Sequence, residues 1–110
     1  MTEFVKICST DDVALGSAVS ASIDGLKLAI VHGEDGEFYA IYDECSHAAV
    51  PLSEGEIDGC TLECWLHGSR FDLRTGAPTG LPATEPVPVY PVEIRDGFVF
   101  VSTTPIYAAR

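Results

Sequence analysis

Basic residues are scarce in this chain. Six Lys and Arg stand against 17 Asp and Glu, a formal net charge of −11. Phosphate backbones are held by basic stripes, so nucleic acid is excluded as a partner. Between Lys27 and Arg70 there is no Lys or Arg, while nine acids occur: Glu34, Asp35, Glu37, Asp43, Glu44, Glu54, Glu56, Asp58 and Glu63. Such an interval either steers a basic partner or serves solubility alone. Long apolar runs are also missing, none approaching the roughly 18 residues of a membrane span. The first residues, Met1-Thr2-Glu3-Phe4-Val5-Lys6, show no basic region followed by an apolar core, so no secretory leader is expected. The cytoplasm is then the expected compartment, where the four Cys are thiols or metal ligands sooner than disulfides.

What is present is a small β-domain. At 110 residues one domain is expected, and 46% hydrophobic against 21% charged residues argues against disorder. Strand-like runs come at short intervals: Phe4 to Cys8, Ala18 to Ile23, Leu26 to His32, Glu37 to Asp43, Val89 to Ile94 and Phe98 to Val101. Asp24-Gly25 and Asp96-Gly97 are hairpin-turn dipeptides. Ser9-Thr10-Asp11-Asp12 starts a helix or turn that Gly16 stops after one or two turns at most. Cys60, Leu62 and Cys64 alternate onto one strand face, as do Ser69, Phe71 and Leu73. Pro78, Pro82, Pro86, Pro88 and Pro91 predict an extended loop leading into an edge strand. Eight to ten short strands with almost no helix predict an all-β antiparallel sandwich or small barrel over residues 1–103, with a tail at 104–110.

The chemistry lies in two short ligand pairs. Cys45-Ser46-His47 is followed after sixteen residues by Cys64-Trp65-Leu66-His67. Short chelate loops cost little entropy to close, so the pairs read as two arms of one metal centre. Zinc accepts these ligands, but its pairs usually keep Cys with Cys and His with His. Mixed pairs suit a two-iron cluster in which one iron takes both thiolates and the other both imidazoles.

Cys-x-His and Cys-x-x-His at this separation resemble the signature of the Rieske [2Fe–2S] family. The resemblance extends to Pro51-Leu52-Ser53-Glu54-Gly55 after the first pair and to Gly68-Ser69-Arg70-Phe71-Asp72 with Thr75-Gly76 after the second. It implies one [2Fe–2S] cluster, with Cys45 and Cys64 on an inner iron and His47 and His67 on an outer one near the surface. It also implies a cluster-binding subdomain of two loops at one tip of the domain. The respiratory and photosynthetic branch adds a disulfide cysteine to each loop, and this chain has Val50 and Leu66 there. That branch also tends to carry a Tyr where this chain has Phe71. A missing donor favours the oxidised state, so a potential low in the Rieske range is expected. The whole is similar to the ferredoxin component of bacterial Rieske-type oxygenase systems, which implies a monomeric electron carrier between a ferredoxin reductase and a terminal oxygenase. An accessory or redox-sensing protein of iron–sulfur assembly or of another redox pathway, and a structural zinc domain, are the other readings. After the four ligands only His32 remains, too little for a mononuclear iron site of two His and a carboxylate. The chain is therefore expected to move electrons and to perform no substrate chemistry.

Other residues have plainer expectations. Cys8 and Cys60 are expected as small buried hydrophobes. His32, on a face with Leu26, Leu28 and Ile30, is expected to be structural. Trp65 shields the cluster or belongs to a docking surface. Ser69, by its family position, is expected to donate to a cluster sulfur or else to make a local turn bond, and the Gly80-Leu81-Pro82 loop either covers the cluster, as in relatives, or is a plain connector. Arg70 and Arg74 are expected to pair with nearby acids.

Overall fold

The computed structural model describes residues 4–45, 50–65, 68–79 and 86–105. Among these residues ten strands follow in order: β1 (Phe4–Ser9), β2 (Ser17–Ile23), β3 (Leu26–His32), β4 (Phe38–Tyr42), β5 (Glu56–Asp58), β6 (Thr61–Glu63), β7 (Arg70–Asp72), β8 (Val89–Tyr90), β9 (Val92–Arg95) and β10 (Phe98–Ser102). Among the described residues the helical pieces are two single 3-10 turns, Thr10–Asp12 and Leu52–Glu54. The first is the Ser9-Thr10-Asp11-Asp12 signal realised as one turn. Asp11 N–H donates to the Ser9 hydroxyl at 3.1 Å, and Ser9 N–H donates to the Asp12 carboxylate at 2.9 Å.

The strands build three antiparallel sheets, ordered β1-β10-β9, β2-β3-β4-β8 and β5-β6-β7. Asp24 and Gly25 have φ of 49° and 88°, and Asp96 and Gly97 have 50° and 80°. Positive φ at both central residues is the two-residue turn whose twist matches its strands, and it joins β2 to β3 and β9 to β10.

The four-stranded sheet lies in the middle, which β3 makes plain. Leu28, Ala29, Ile30 and Val31 are all fully buried, so both faces of this strand are covered. Leu28 and Ile30 enter one core with Ala40, Val99 and Val101. Ala29 and Val31 enter the other with Ile41, Leu62 and Phe71. The expected all-β antiparallel architecture is therefore a stack of three sheets around two interiors.

Proline moves the chain between layers. The segment expected as one strand from Val89 to Ile94 is split at Pro91, which has no N–H to continue a ladder. β8 ends on the central sheet at its edge, and β9 begins on the β1-β10-β9 sheet, also at its edge. Just before, Tyr42 N–H donates to Pro88 O and Val87 N–H to Gly76 O, each at 2.9 Å. Val87 and Pro88 thus form a seam between the central sheet and the turn after β7.

Candidate metal centre

Two loops arise where β4 and β6 release the chain. After β4 come Asp43, Glu44 and Cys45, and Cys45 N–H donates to Val50 O at 3.0 Å. After β6, Cys64 N–H donates to Ser69 O at 2.6 Å, which extends the β6–β7 ladder beyond the Glu63–Arg70 pair. Gly68 N–H then donates back to Cys64 O at 2.9 Å, with Gly68 at a φ of +77°. In each loop the cysteine N–H meets the carbonyl five residues on, so two loops of equal span are closed by the same bond.

That closure sets both thiols at the loop roots, facing inward. Cys45 is 3% exposed and Cys64 is 0% exposed, and both belong to the core that holds Leu52, Leu62, Phe71 and Leu73. Both are free of disulfides. Two thiols in a dry interior, each followed in sequence by a His of the same loop, are a donor set that fits a mixed thiolate–imidazole iron–sulfur centre. His47 and His67 lie outside the described residues, as do Leu66 and the Gly80-Leu81-Pro82 loop.

Several features hold the two arms together. Asp43 is buried, and its carboxylate accepts from Ser53 N–H at 2.7 Å and from the Ser53 hydroxyl at 2.8 Å. Glu44 pairs with Lys27 at 2.8 Å, a contact that holds the Lys27 ammonium above its usual value. Gly55 lies so close to β6 that a Cβ there would sit 1.6 Å from Glu63 O. Gly76, at φ +77°, has no more room, since a Cβ would sit 1.9 Å from Val87 O. Asp43, Ser53, Gly55 and Gly76 had no role assigned from the sequence. The only hint was that three of them fall inside or beside the segments resembling the family.

The remaining expected residues are placed as follows. Ser69 and Phe71 are fully buried. Trp65 is 52% exposed, which favours a surface role over shielding. His32 Nδ1 lies 3.0 Å from Val13 O, and its ring stacks on Phe38 with centroids 4.1 Å apart, so it is structural. Cys8 and Cys60 are half-buried and packed against the two cores. Burial and then Asp12 push the Cys8 thiol above its usual value. Cys60 Sγ lies 3.6 Å from the Tyr39 hydroxyl, which donates to Asp35 at 2.5 Å. Burial and then that bond push the Tyr39 phenol up, while the same bond pulls the Asp35 carboxyl down. Arg70 pairs with Asp58 at 2.8 Å and Glu63 at 3.8 Å, a local pairing as expected.

The nine acids do not form one face beside the loops. Glu34, Asp35 and Glu37 belong to the β3–β4 turn, at the end of β4 opposite its ligand loop. Glu34 accepts from Gly59 N–H of the β5–β6 turn at 2.7 Å, so Asp58 is at that far end too.

Comparison with known proteins now bears on this arrangement. The Rieske [2Fe-2S] domain family matches residues 3–91. The chain belongs to the Rieske [2Fe–2S] family. The biphenyl dioxygenase ferredoxin subunit of Pseudomonas sp. (strain KKS102) is 44% identical to this Rieske protein over 108 residues, covering 96% of this chain and 98% of that one. The Sphingomonas yanoikuyae B1 ferredoxin shares the fold with a TM-score of 0.84 at 32% identity, over 92% of this chain and 99% of the other. A chain from the complex of reduced oxygenase and oxidized ferredoxin in carbazole 1,9a-dioxygenase matches with a TM-score of 0.83 at 36% identity, over 90% and 92% of the two chains. As a Rieske protein the chain carries one [2Fe–2S] cluster, and as a ferredoxin it is an electron carrier, not a catalyst. The structural zinc domain weighed from the spacing gives way to this family.

Proposed function

We propose that this Rieske ferredoxin passes single electrons from an NAD(P)H-dependent reductase to a terminal non-heme iron oxygenase. Cys45 and Cys64 hold the inner iron, and His47 and His67 the outer one. The observation that carries this reading is the pair of buried thiols at the roots of two identically closed loops in one apolar core. When bound, the cluster accepts and returns one electron at a potential above that of all-thiolate ferredoxins, because two neutral imidazoles replace two anionic ligands. The chain's own part is to exclude water from the thiol side and to leave the loop side accessible. Exposed Trp65, between Cys64 and His67, belongs to that accessible side and to the docking surface.

The potential is low within the Rieske range, because Phe71 has no hydroxyl to donate. Residues 1–103 form the domain and 104–110 the tail, and the protein acts as a cytoplasmic monomer. No helix of the described residues is long and apolar enough to cross a membrane.

Electron paramagnetic resonance of the dithionite-reduced protein, with iron and acid-labile sulfide analysis, tests the ligand set. The expected result is a rhombic signal of low average g value. Replacing His47 or His67 by Cys is expected to raise the average g. A protein without sulfide overturns the assignment. Reconstitution with a reductase and an aromatic-ring oxygenase tests the partners, and failure to sustain turnover with an intact signal favours the accessory reading instead.

A further inference from the structure

Three polar side chains are buried among the described residues: Asp43, Ser69 and Ser102. Asp43 alone of these carries an acid, at 6% exposure. Isolated charge is costly to bury, so a buried carboxylate calls for an explanation. The ion pairs among the described residues are Lys27–Glu44, Arg70 with Asp58 and Glu63, and Arg95–Glu93, and none reaches Asp43. Its hydrogen-bond donors among the described residues are neutral, while the Lys27 ammonium, held up by Glu44 and in smaller part by the Asp43 charge, is a cation within its electrostatic reach. Both oxygens are engaged by one residue, Oδ1 accepting from Ser53 N–H at 2.7 Å and Oδ2 from the Ser53 hydroxyl at 2.8 Å. Such donors stabilise the charge without cancelling it.

The position gives this charge a reach. Asp43 precedes Cys45 by two residues, so their Cα atoms are at most about 7.6 Å apart. The Asp43–Ser53 pair ties together the two limbs of the first ligand loop, whose inner turn is closed by Cys45 and Val50. Charge is weakly screened in a buried setting, and salt reaches it poorly. A fixed negative charge there opposes the arrival of an electron.

We propose that Asp43, held by Ser53, fixes the limbs of the first ligand loop and lowers the reduction potential of the centre by its buried negative charge. This role rests on the ligand assignment proposed above. It is distinct from the missing hydroxyl at Phe71, because it acts through charge and not through a donor. The brace and the charge are separable. Asp43→Asn keeps the volume and an acceptor for Ser53 N–H, while Ser53→Ala keeps the charge and removes one donor.

The test is a redox titration of the holoprotein, followed by the reduced-state resonance signal, for wild type, D43N and S53A. Asp43→Asn is expected to shift the midpoint to more positive potential with the g values unchanged. Ser53→Ala is expected to leave the midpoint in place or move it negative, since the carboxylate is then less compensated. A D43N protein with an intact signal and an unshifted midpoint overturns the proposal. So does an S53A midpoint that rises as D43N does, because loop geometry would then set the potential. Where D43N fails to retain iron, S53A decides by the sign of its shift, a rise overturning the role and no rise supporting it. A wild type without the signal fails the ligand assignment, whereas a normal wild type with an unshifted D43N fails this role alone.

Discussion

The two faces of the β2-β3-β4-β8 sheet bury different kinds of interior. On one face, Leu28, Ile30, Val99 and Val101 form an aliphatic core under the β1-β10-β9 sheet, with β1, β2 and β3 of six or seven residues around it. On the other, two thiols sit among Leu52, Leu62 and Phe71, and the covering strands β5, β6 and β7 are three residues each. Long ladders and hydrocarbon burial stabilise the first side by themselves, each fully buried aliphatic side chain contributing roughly 1.5–3 kcal/mol. Three-residue strands supply few ladder bonds, each worth only about 1 kcal/mol net. The second side therefore relies on close glycine approaches, on the Asp43–Ser53 tie and on the group it holds. The expectation is that one half stands as a scaffold and the other is conditional on its cofactor.

The harshest way to break the second half alone is Gly55→Ala. Its Cβ would overlap Glu63 O, so β5 must leave β6. The expected product retains the strand signature in circular dichroism but purifies with little iron or sulfide. Gly25→Ala, in the β2–β3 turn with nothing within 4 Å, is the matched control. It is expected to cost about 1–2 kcal/mol for its left-handed backbone and to keep full iron content. Iron retained by G55A at the wild-type level would contradict the division.

Removing the iron from the wild type comes next. Because binding energy of a metal group is folding energy for the residues that hold it, amides of 56–58, 61–63 and 70–72 are expected to exchange much faster in the apoprotein. Amides of β2 and β3 are expected to stay protected. Equal deprotection of both sheets, read by hydrogen exchange, would show a single cooperative unit. Core truncation sharpens the same contrast. Ile30→Ala and Leu62→Ala each remove a fully buried aliphatic and are each expected to cost about 2–5 kcal/mol. Ile30→Ala should lower the midpoint of thermal unfolding in apo and holo forms alike. Leu62→Ala should lower it mainly in the holo form.

The smallest effect is a pH effect at the far end. The Tyr39 bond pulls the Asp35 carboxyl below its usual 3.8. A lowered folded value contributes stability above the usual one, and that contribution is lost as pH falls through the lowered value. Tyr39→Phe removes the bond, so its stability should fall less steeply than that of wild type as pH drops below 3.8. Denaturant titrations on either side of that value check the slope, and the resonance signal should not change.

Legibility in the sequence follows the same division. The long strands of the scaffold were readable because β-branched runs and Asp-Gly turns are local signals. β3 shows where local reading stops. Its alternation put His32 on a face with Leu28 and Ile30, but only the stacked sheets reveal that Ala29 and Val31 face a second interior. β5 was missed because Glu56-Ile57-Asp58 offers a single apolar residue, and its pairing with β6 is enforced from outside by the fit at Gly55. The spacing singled out Cys45 and Cys64, and the fold brings both into one core. Asp43 was not, because its bond to Ser53 spans ten residues and depends on how the loop folds back.

The equal closure of the two loops has a consequence for engineering. Cys45 to Val50 and Cys64 to Ser69 each span six residues and share the same main-chain bond at the base, from the cysteine N–H to the carbonyl five residues on. The second loop is closed at its base by backbone, whereas the first is braced in addition by the Asp43–Ser53 side-chain tie just outside it. A grafted pair would need from its host two strand ends of matching spacing, a small residue where Gly55 lets them touch, and an acid–serine tie in the places of Asp43 and Ser53.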